Sequence, residues 1–217
     1  MKKKLMSVLL VFVLSTLTIA LSACAGSKAD GDSSTGSKET VDAAESTDAA
    51  TEDDDKITVG IAQDIEDSMD PHKAVASGTK EVLFNIYEGL VKPDSEGNQN
   101  PAVASDYEIT EEGKTYTFTL RDGVKFHDGS LVTVEDVKYS IERCADTSNG
   151  GTPLVAAFSS IESVETPDDS TIVIHLTEPN TDFLTYLTVA IIPASNADPD
   201  TNPIGTGPYA YVSRSPQ

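Results

Sequence analysis

Cysteine, histidine and basic side chains are all scarce in this sequence of 217 residues. The two cysteines, Cys24 and Cys144, make a poor disulfide framework because Cys24 sits at the edge of an N-terminal apolar run; Cys144 reads as a free, packed thiol. The three histidines, His72, His127 and His175, fall in separate segments without the ligand spacing of a zinc site, so no metal is expected. There is no G-x-S-x-G elbow, no H-E-x-x-H pair and no cysteine nucleophile with a partner, which speaks against a hydrolase of those kinds. Neither enzymatic activity nor a cofactor is expected. Lysine and arginine number 15 against 36 acidic residues, a net charge of −21, and that excess argues against a nucleic-acid partner. No internal repeat appears.

Long apolar runs are lacking too, apart from one. Lys2, Lys3 and Lys4 precede an almost unbroken apolar stretch from Leu5 to Leu21, the charge-then-apolar order of a secretory signal. A membrane-spanning helix needs about 20 apolar residues; this run is shorter and carries Ser15, Thr16 and Thr18. It ends at Leu21-Ser22-Ala23-Cys24, which resembles a bacterial lipobox. That resemblance implies a signal peptide over residues 1–23 and Cys24 as the lipidated first residue of the mature chain. Acyl chains contribute about 0.8 kcal/mol per buried methylene, and more than one chain gives stable anchoring. The expected location is the outer face of a cell membrane, or the periplasmic space where there are two membranes. Between Ala25 and Asp55, Val41 is the only large apolar residue, so residues 24–55 read as a lipidated cysteine followed by a disordered acidic tether. Its closing run Glu52-Asp53-Asp54-Asp55 lacks carboxylates spaced around a turn glycine, as a calcium loop requires.

Residues 56–217 carry the patterns of a folded domain. Ile57, Val59 and Ile61 alternate with small or polar residues, predicting a first strand. The acidic loop with Asp64, Glu66, Asp67 and Asp70 reads first as a solvated turn, with a ligand site at the strand end as the alternative. Val82, Leu83, Ile86, Tyr87 and Leu90 recur at helical spacing from Ser77 to Leu90, with Ser77 or Thr79 as the cap. A polar turn surrounds Gly97. Tyr107 and Ile109, then Tyr116, Phe118 and Leu120, predict a hairpin through Glu111-Glu112-Gly113-Lys114, and Val124 to Phe126 predicts a further strand. Thr133-Val134-Glu135-Asp136 fits a capping box opening a helix to about Arg143. A second hairpin joins Ile161–Glu165 to Thr171–Leu176 through Pro167-Asp168-Asp169-Ser170, and Phe183, Leu184 and Leu187 predict a short helix capped near Asn180 or Thr181. Arg121 and Arg143 are each able to grip a carboxylate with two bonds, but both read as structural, Arg143 at a helix end that favours cations. Adjacent His127 and Asp128 read as a strand end at a turn rather than an acid/base pair, since neighbours on extended backbone point apart.

Three strings, Tyr87-Glu88-Gly89-Leu90-Val91, Pro101-Ala102-Val103-Ala104 and Thr115 to Asp136 (TYTFTLRDGVKFHDGSLVTVED), together resemble the family 5 extracellular solute-binding proteins. Gly205 to Tyr209, GTGPY, resembles a later motif of the same family. The resemblance covers Lys56 to Gln217. It implies an α/β fold of type II periplasmic-binding-protein kind, here part of lobe one with its inserted subdomain and without the second lobe, so that the chain is a fragment or a truncated product and binds weakly alone. It also implies a role as the substrate-binding subunit of an ABC transporter, with a peptide ligand and permease and ATPase subunits as partners; nickel complexes or sugars are the other ligand classes. A cell-surface sensory or adhesion module on the same fold is the rival reading. The resemblance places Gln63, Asp64 and Ile65 at the cleft, where their backbone would bond an extended peptide. Gly205, Thr206 and Gly207 are expected first to form the fold and second to lie beside the ligand.

Overall fold

The computed structural model describes residues 56–61, 65, 67–148 and 152–215. All of them except Lys56 belong to a compact unit that runs from Ile57 to Gln217. The signal segment, Cys24, the tether, Gln63 and Asp64 lie outside the described residues.

The centre of the unit is a four-stranded antiparallel sheet made of two hairpins. Strand β3 (Ala104–Thr110) returns as β4 (Thr115–Leu120) through a turn in which Glu111, Glu112 and Gly113 all have positive φ. Strands β5 (Ile161–Asp168) and β6 (Thr171–Leu176) make the second hairpin, and the order across the sheet is β3, β4, β6, β5. The predicted turn is tighter than its sequence suggested. Pro167 and Asp168 remain in β5 past an irregularity in the ladder, and the Asp168 carboxylate closes the turn by accepting from the Ser170 amide and hydroxyl.

Period-2 alternation decides which face is buried. Tyr116 and Phe118 of β4 stand opposite Ile174 and Ile172 of β6, and all four are fully buried. Helix α2 (Val134–Ala145) covers that face with Val137, Ile141 and Cys144. Its capping box is formed as predicted: Thr133 Oγ1 accepts from the Asp136 amide at 3.3 Å, and Asp136 Oδ2 accepts from the Thr133 amide at 2.9 Å. Cys144 is a free cysteine, and burial pushes its thiol up to about 12. A 3₁₀ turn at Phe183–Thr188 adds Phe183 and Leu187 to the same core.

Helix α1 (Ser77–Ile86) ends before Leu90, because Tyr87 adopts extended backbone and the chain enters a two-stranded hairpin, β1 (Val91–Pro93) with β2 (Gln99–Pro101). Its N-cap is Ala76, and neither Ser77 nor Thr79 caps it. The Asp67 carboxylate instead receives the amides of Val75 and Ala76 at 2.6 and 2.7 Å, and those bonds hold it below the usual carboxylate range. A second apolar cluster, Ile65, Met69, Leu83, Ile86, Tyr87 and Ile192, lies around α1.

Two predicted strands do not form. Residues 56–61 have no strand structure, and Ile57 and Val59 are 60% and 70% exposed. Among the described residues no strand lies alongside them, and alternation without a neighbour brings no ladder bonds. Val124–Phe126 is reduced to a single bridge, Lys125 with Leu131, because the Asp128-Gly129 turn sends the chain back at once.

Candidate functional site

The two ends of the resembling strings meet at the C-terminus of α1. The last carbonyls of a helix have no partner within it. Here the Ile86 carbonyl accepts from the Gly207 amide at 2.9 Å, and the Asn85 carbonyl accepts from the Tyr209 amide at 3.1 Å. The approach is so close that a Cβ on Gly207 would lie 2.6 Å from the Asn85 carbonyl oxygen, and one on Gly205 would overlap the Ile86 carbonyl. Only glycine allows this contact. On the other side of this strap stands His127, whose Nε2 is 2.9 Å from the Gly207 carbonyl and whose Nδ1 is 3.3 Å from the Gly205 amide nitrogen.

Earlier in the same return, α2 holds the chain directly. Ser140 Oγ accepts from the Ile192 amide at 3.0 Å, and Asp136 Oδ1 accepts from the Ala194 amide at 2.8 Å. Beside these bonds lies a buried polar cluster. Asp70 is 1% exposed, and Arg143 of α2 grips it with both terminal nitrogens, Nη1 at 3.0 Å from Oδ1 and Nη2 on Oδ2. The same Nη1 lies 2.6 Å from His72 Nδ1, and His72 Nε2 lies 2.8 Å from the Ala190 carbonyl. The guanidinium can only donate, so His72 is neutral with its proton on Nε2. Burial, and then the Arg143 charge, hold His72 below the ordinary imidazole range. Burial works against the Asp70 carboxylate, but the Arg143 bonds and charge outweigh it and keep Asp70 below its ordinary range. The Tyr87 hydroxyl is buried with no partner among the described residues, and burial raises its pKa.

The predicted site residues are dispersed by this arrangement. Ile65 is buried in the α1 cluster, and its carbonyl accepts from Arg214 rather than standing free. Gly205, Thr206 and Gly207 form the strap, and the Thr206 hydroxyl oxygen is buried without a partner among the described residues. Asp70 is no solvated turn residue. Arg143 is structural, as expected, although it acts through Asp70 and His72 as well as at the helix end. Arg121 is structural too, donating to the carbonyls of Ala102 and Ala104. His127 touches the strap rather than Asp128, which binds Ser130. Sequence reasoning missed His72 and His127 because their partners lie 71 and 78 residues away. Among the described residues there is no group of three metal-ligating side chains and no helix long and apolar enough to cross a membrane.

Residues 98–217 match the family described as bacterial extracellular solute-binding proteins, family 5 Middle. That match spans more than half of the chain. The chain belongs to the family 5 extracellular solute-binding proteins. One relative in this family is the glutathione-binding protein GsiB of Pectobacterium atrosepticum, 34% identical over 67% of this chain and 30% of that protein. Another is a probable peptide ABC transporter periplasmic-binding protein of Sinorhizobium fredii, 36% identical over 56% of this chain and 22% of that one. The chain thus spans less than a third of the length of these relatives. Among solved structures, AgaA of A. tumefaciens R10 in complex with agropinic acid aligns with a TM-score of 0.63 at 34% identity, covering 68% of this chain and 31% of that one. DppA of Helicobacter pylori in complex with the peptide STSA aligns at 0.59 and 29% identity, covering 68% and 35%. These similar structures are type II periplasmic-binding proteins, and the described residues are part of that α/β fold.

Proposed function

We propose that this chain serves as an extracytoplasmic substrate-binding subunit of an ABC importer, capturing peptides and delivering them to permease and ATPase subunits. Its membership in family 5 carries the reading. Peptide as the ligand is supported by the relative named for peptide transport and by the peptide-bound structure from H. pylori. On this reading the strap Gly205–Gly207, whose Thr206 hydroxyl is buried without a partner among the described residues, borders the ligand, as do Gln63 and Asp64, while Ile65 packs in the α1 cluster.

The deciding experiment is native mass spectrometry of the protein purified from its own host, followed by exchange against short synthetic peptides, agropinic acid and a nickel–histidine complex. Retention of peptide masses is the expected result. Retention of only the latter two supports the second reading, a non-peptide solute, which the complexes of AgaA with agropinic acid and of NikZ with Ni(L-His) favour. Cys24 is proposed as the lipid anchor on the resemblance of its surroundings to a lipobox. The expected result for Cys24→Ser is loss of palmitate labelling and release from the membrane fraction; a variant still labelled would remove that assignment.

A further inference from the structure

We infer that His127 is a positioning residue, which sets the register of the Gly205–Tyr209 strap on α1 through a neutral imidazole held in one tautomer. Its ring takes both of its partners from the strap. The Gly207 carbonyl only accepts and the Gly205 amide only donates, so Nε2, 2.9 Å from the former, carries the proton and Nδ1, 3.3 Å from the latter, is bare. A third bond runs from the His127 amide to the Gly205 carbonyl at 3.0 Å.

The carbonyls of Asn85 and Ile86 at the end of α1 would accept from any extended segment. What selects Gly205–Tyr209 is a ring that reads an N–H and a C=O two residues apart, at the two positions where the absence of a Cβ lets the strap approach. A doubly protonated imidazole has two donors and no acceptor, so Nδ1–H would then face the Gly205 N–H and the register would lose its anchor. The titratable group beside the ring is Asp128 on its own turn, engaged by Ser130. This registration is a property of the fold and needs no ligand; only its bearing on the wall around Thr206 rests on the proposed function.

The test is nitrogen NMR and amide exchange on the full chain. At about pH 7.5, His127 is expected to show a protonated Nε2 and a bare Nδ1, and in His127→Ala protection at Gly205, Gly207 and Tyr209 is expected to fall about tenfold while the β4–β6 ladder amides keep theirs. His127→Asn, which keeps an acceptor near the Nδ1 position, should retain protection at Gly205, and His127→Ala should lose it. A bare Nε2, strap protection unchanged in His127→Ala, or strap and ladder amides losing protection together would each overturn the inference. If His127→Ala does not fold, the tautomer of the natural protein and strap protection in His127→Asn decide. Failure to capture peptides would leave all of these readouts unaffected.

Discussion

Asp70 is the residue on which the junction between α2 and the segment ahead of α1 depends. Its carboxylate is almost wholly buried and is neutralised by Arg143 across 73 residues of sequence. Breaking a buried pair by removing one partner strands the other charge, at a cost of about 3–5 kcal/mol. Arg143→Ala is therefore expected to lower the unfolding free energy at neutral pH by that amount, read from urea denaturation. The double change Asp70→Asn with Arg143→Met should cost less than the single one, and a single-variant loss below about 1 kcal/mol would contradict the assigned role. His72 gives the same cluster a pH dependence. Its folded pKa is held down, so below about pH 6.5 the unfolded chain takes up a proton that the folded chain resists, and stability falls as pH drops. Urea unfolding between about pH 7.5 and about pH 5 should show that decline, and His72→Gln should flatten it. The lowered Asp70 contributes in a lower window: its stabilisation is present above its ordinary range, near pH 3.9, and is lost as pH falls through its folded pKa.

Elements closed by local chemistry were legible. The Thr133 capping box placed α2 correctly, and Thr133→Ala is expected to cost about 1 kcal/mol, read as a lowered urea midpoint and faster amide exchange in the first turn of α2. A loss within a few tenths of a kcal/mol would mean that packing of Val137 and Ile141, rather than the cap, sets that end. Both hairpins were legible for the same reason: their turn residues and alternating strands lie within a few positions of each other. The strand predicted at Ile57–Ile61 shows the limit, since alternation reports a face that suits burial and says nothing of whether a neighbour is there to pair. The helix called to Leu90 stops at Ile86 because Tyr87 must turn into β1, a tertiary demand that the apolar spacing continues straight through. The Asp70 cluster and the His127 contact were illegible because each joins side chains to groups far along the chain, and the bonds at Asp67 because they reach amides eight and nine residues ahead, outside the two- or three-residue spacing of a local cap. At the strap, GTGPY stood out in the sequence as a motif without showing what it lies against.

At the scale of the whole molecule, charge decides what salt does. Residues 56–217 carry 26 acidic and 10 basic side chains, a net −16, so the folded unit is acidic independently of the tether. The exposed ion pairs set against this are modest: Lys138 with Glu142 lie one turn apart on α2, a spacing that contributes about 0.3–0.5 kcal/mol, and Lys92 with Glu88 is a surface pair outside any helix, a kind that contributes about 0–1 kcal/mol. Self-repulsion among the excess carboxylates acts over a longer range and weakens as the Debye length contracts from about 30 Å at 0.01 M salt to about 8 Å at 0.15 M. The Asp70–Arg143 pair is shielded from solvent and changes little over the same interval. Raising sodium chloride across that range at neutral pH is therefore expected to raise the thermal midpoint. Arg143→Ala should show the same salt response from a lower starting point. A midpoint that fell with salt would mean that the few surface pairs outweigh sixteen unbalanced charges, and the acidic surface would then have to be organised by contacts other than those described.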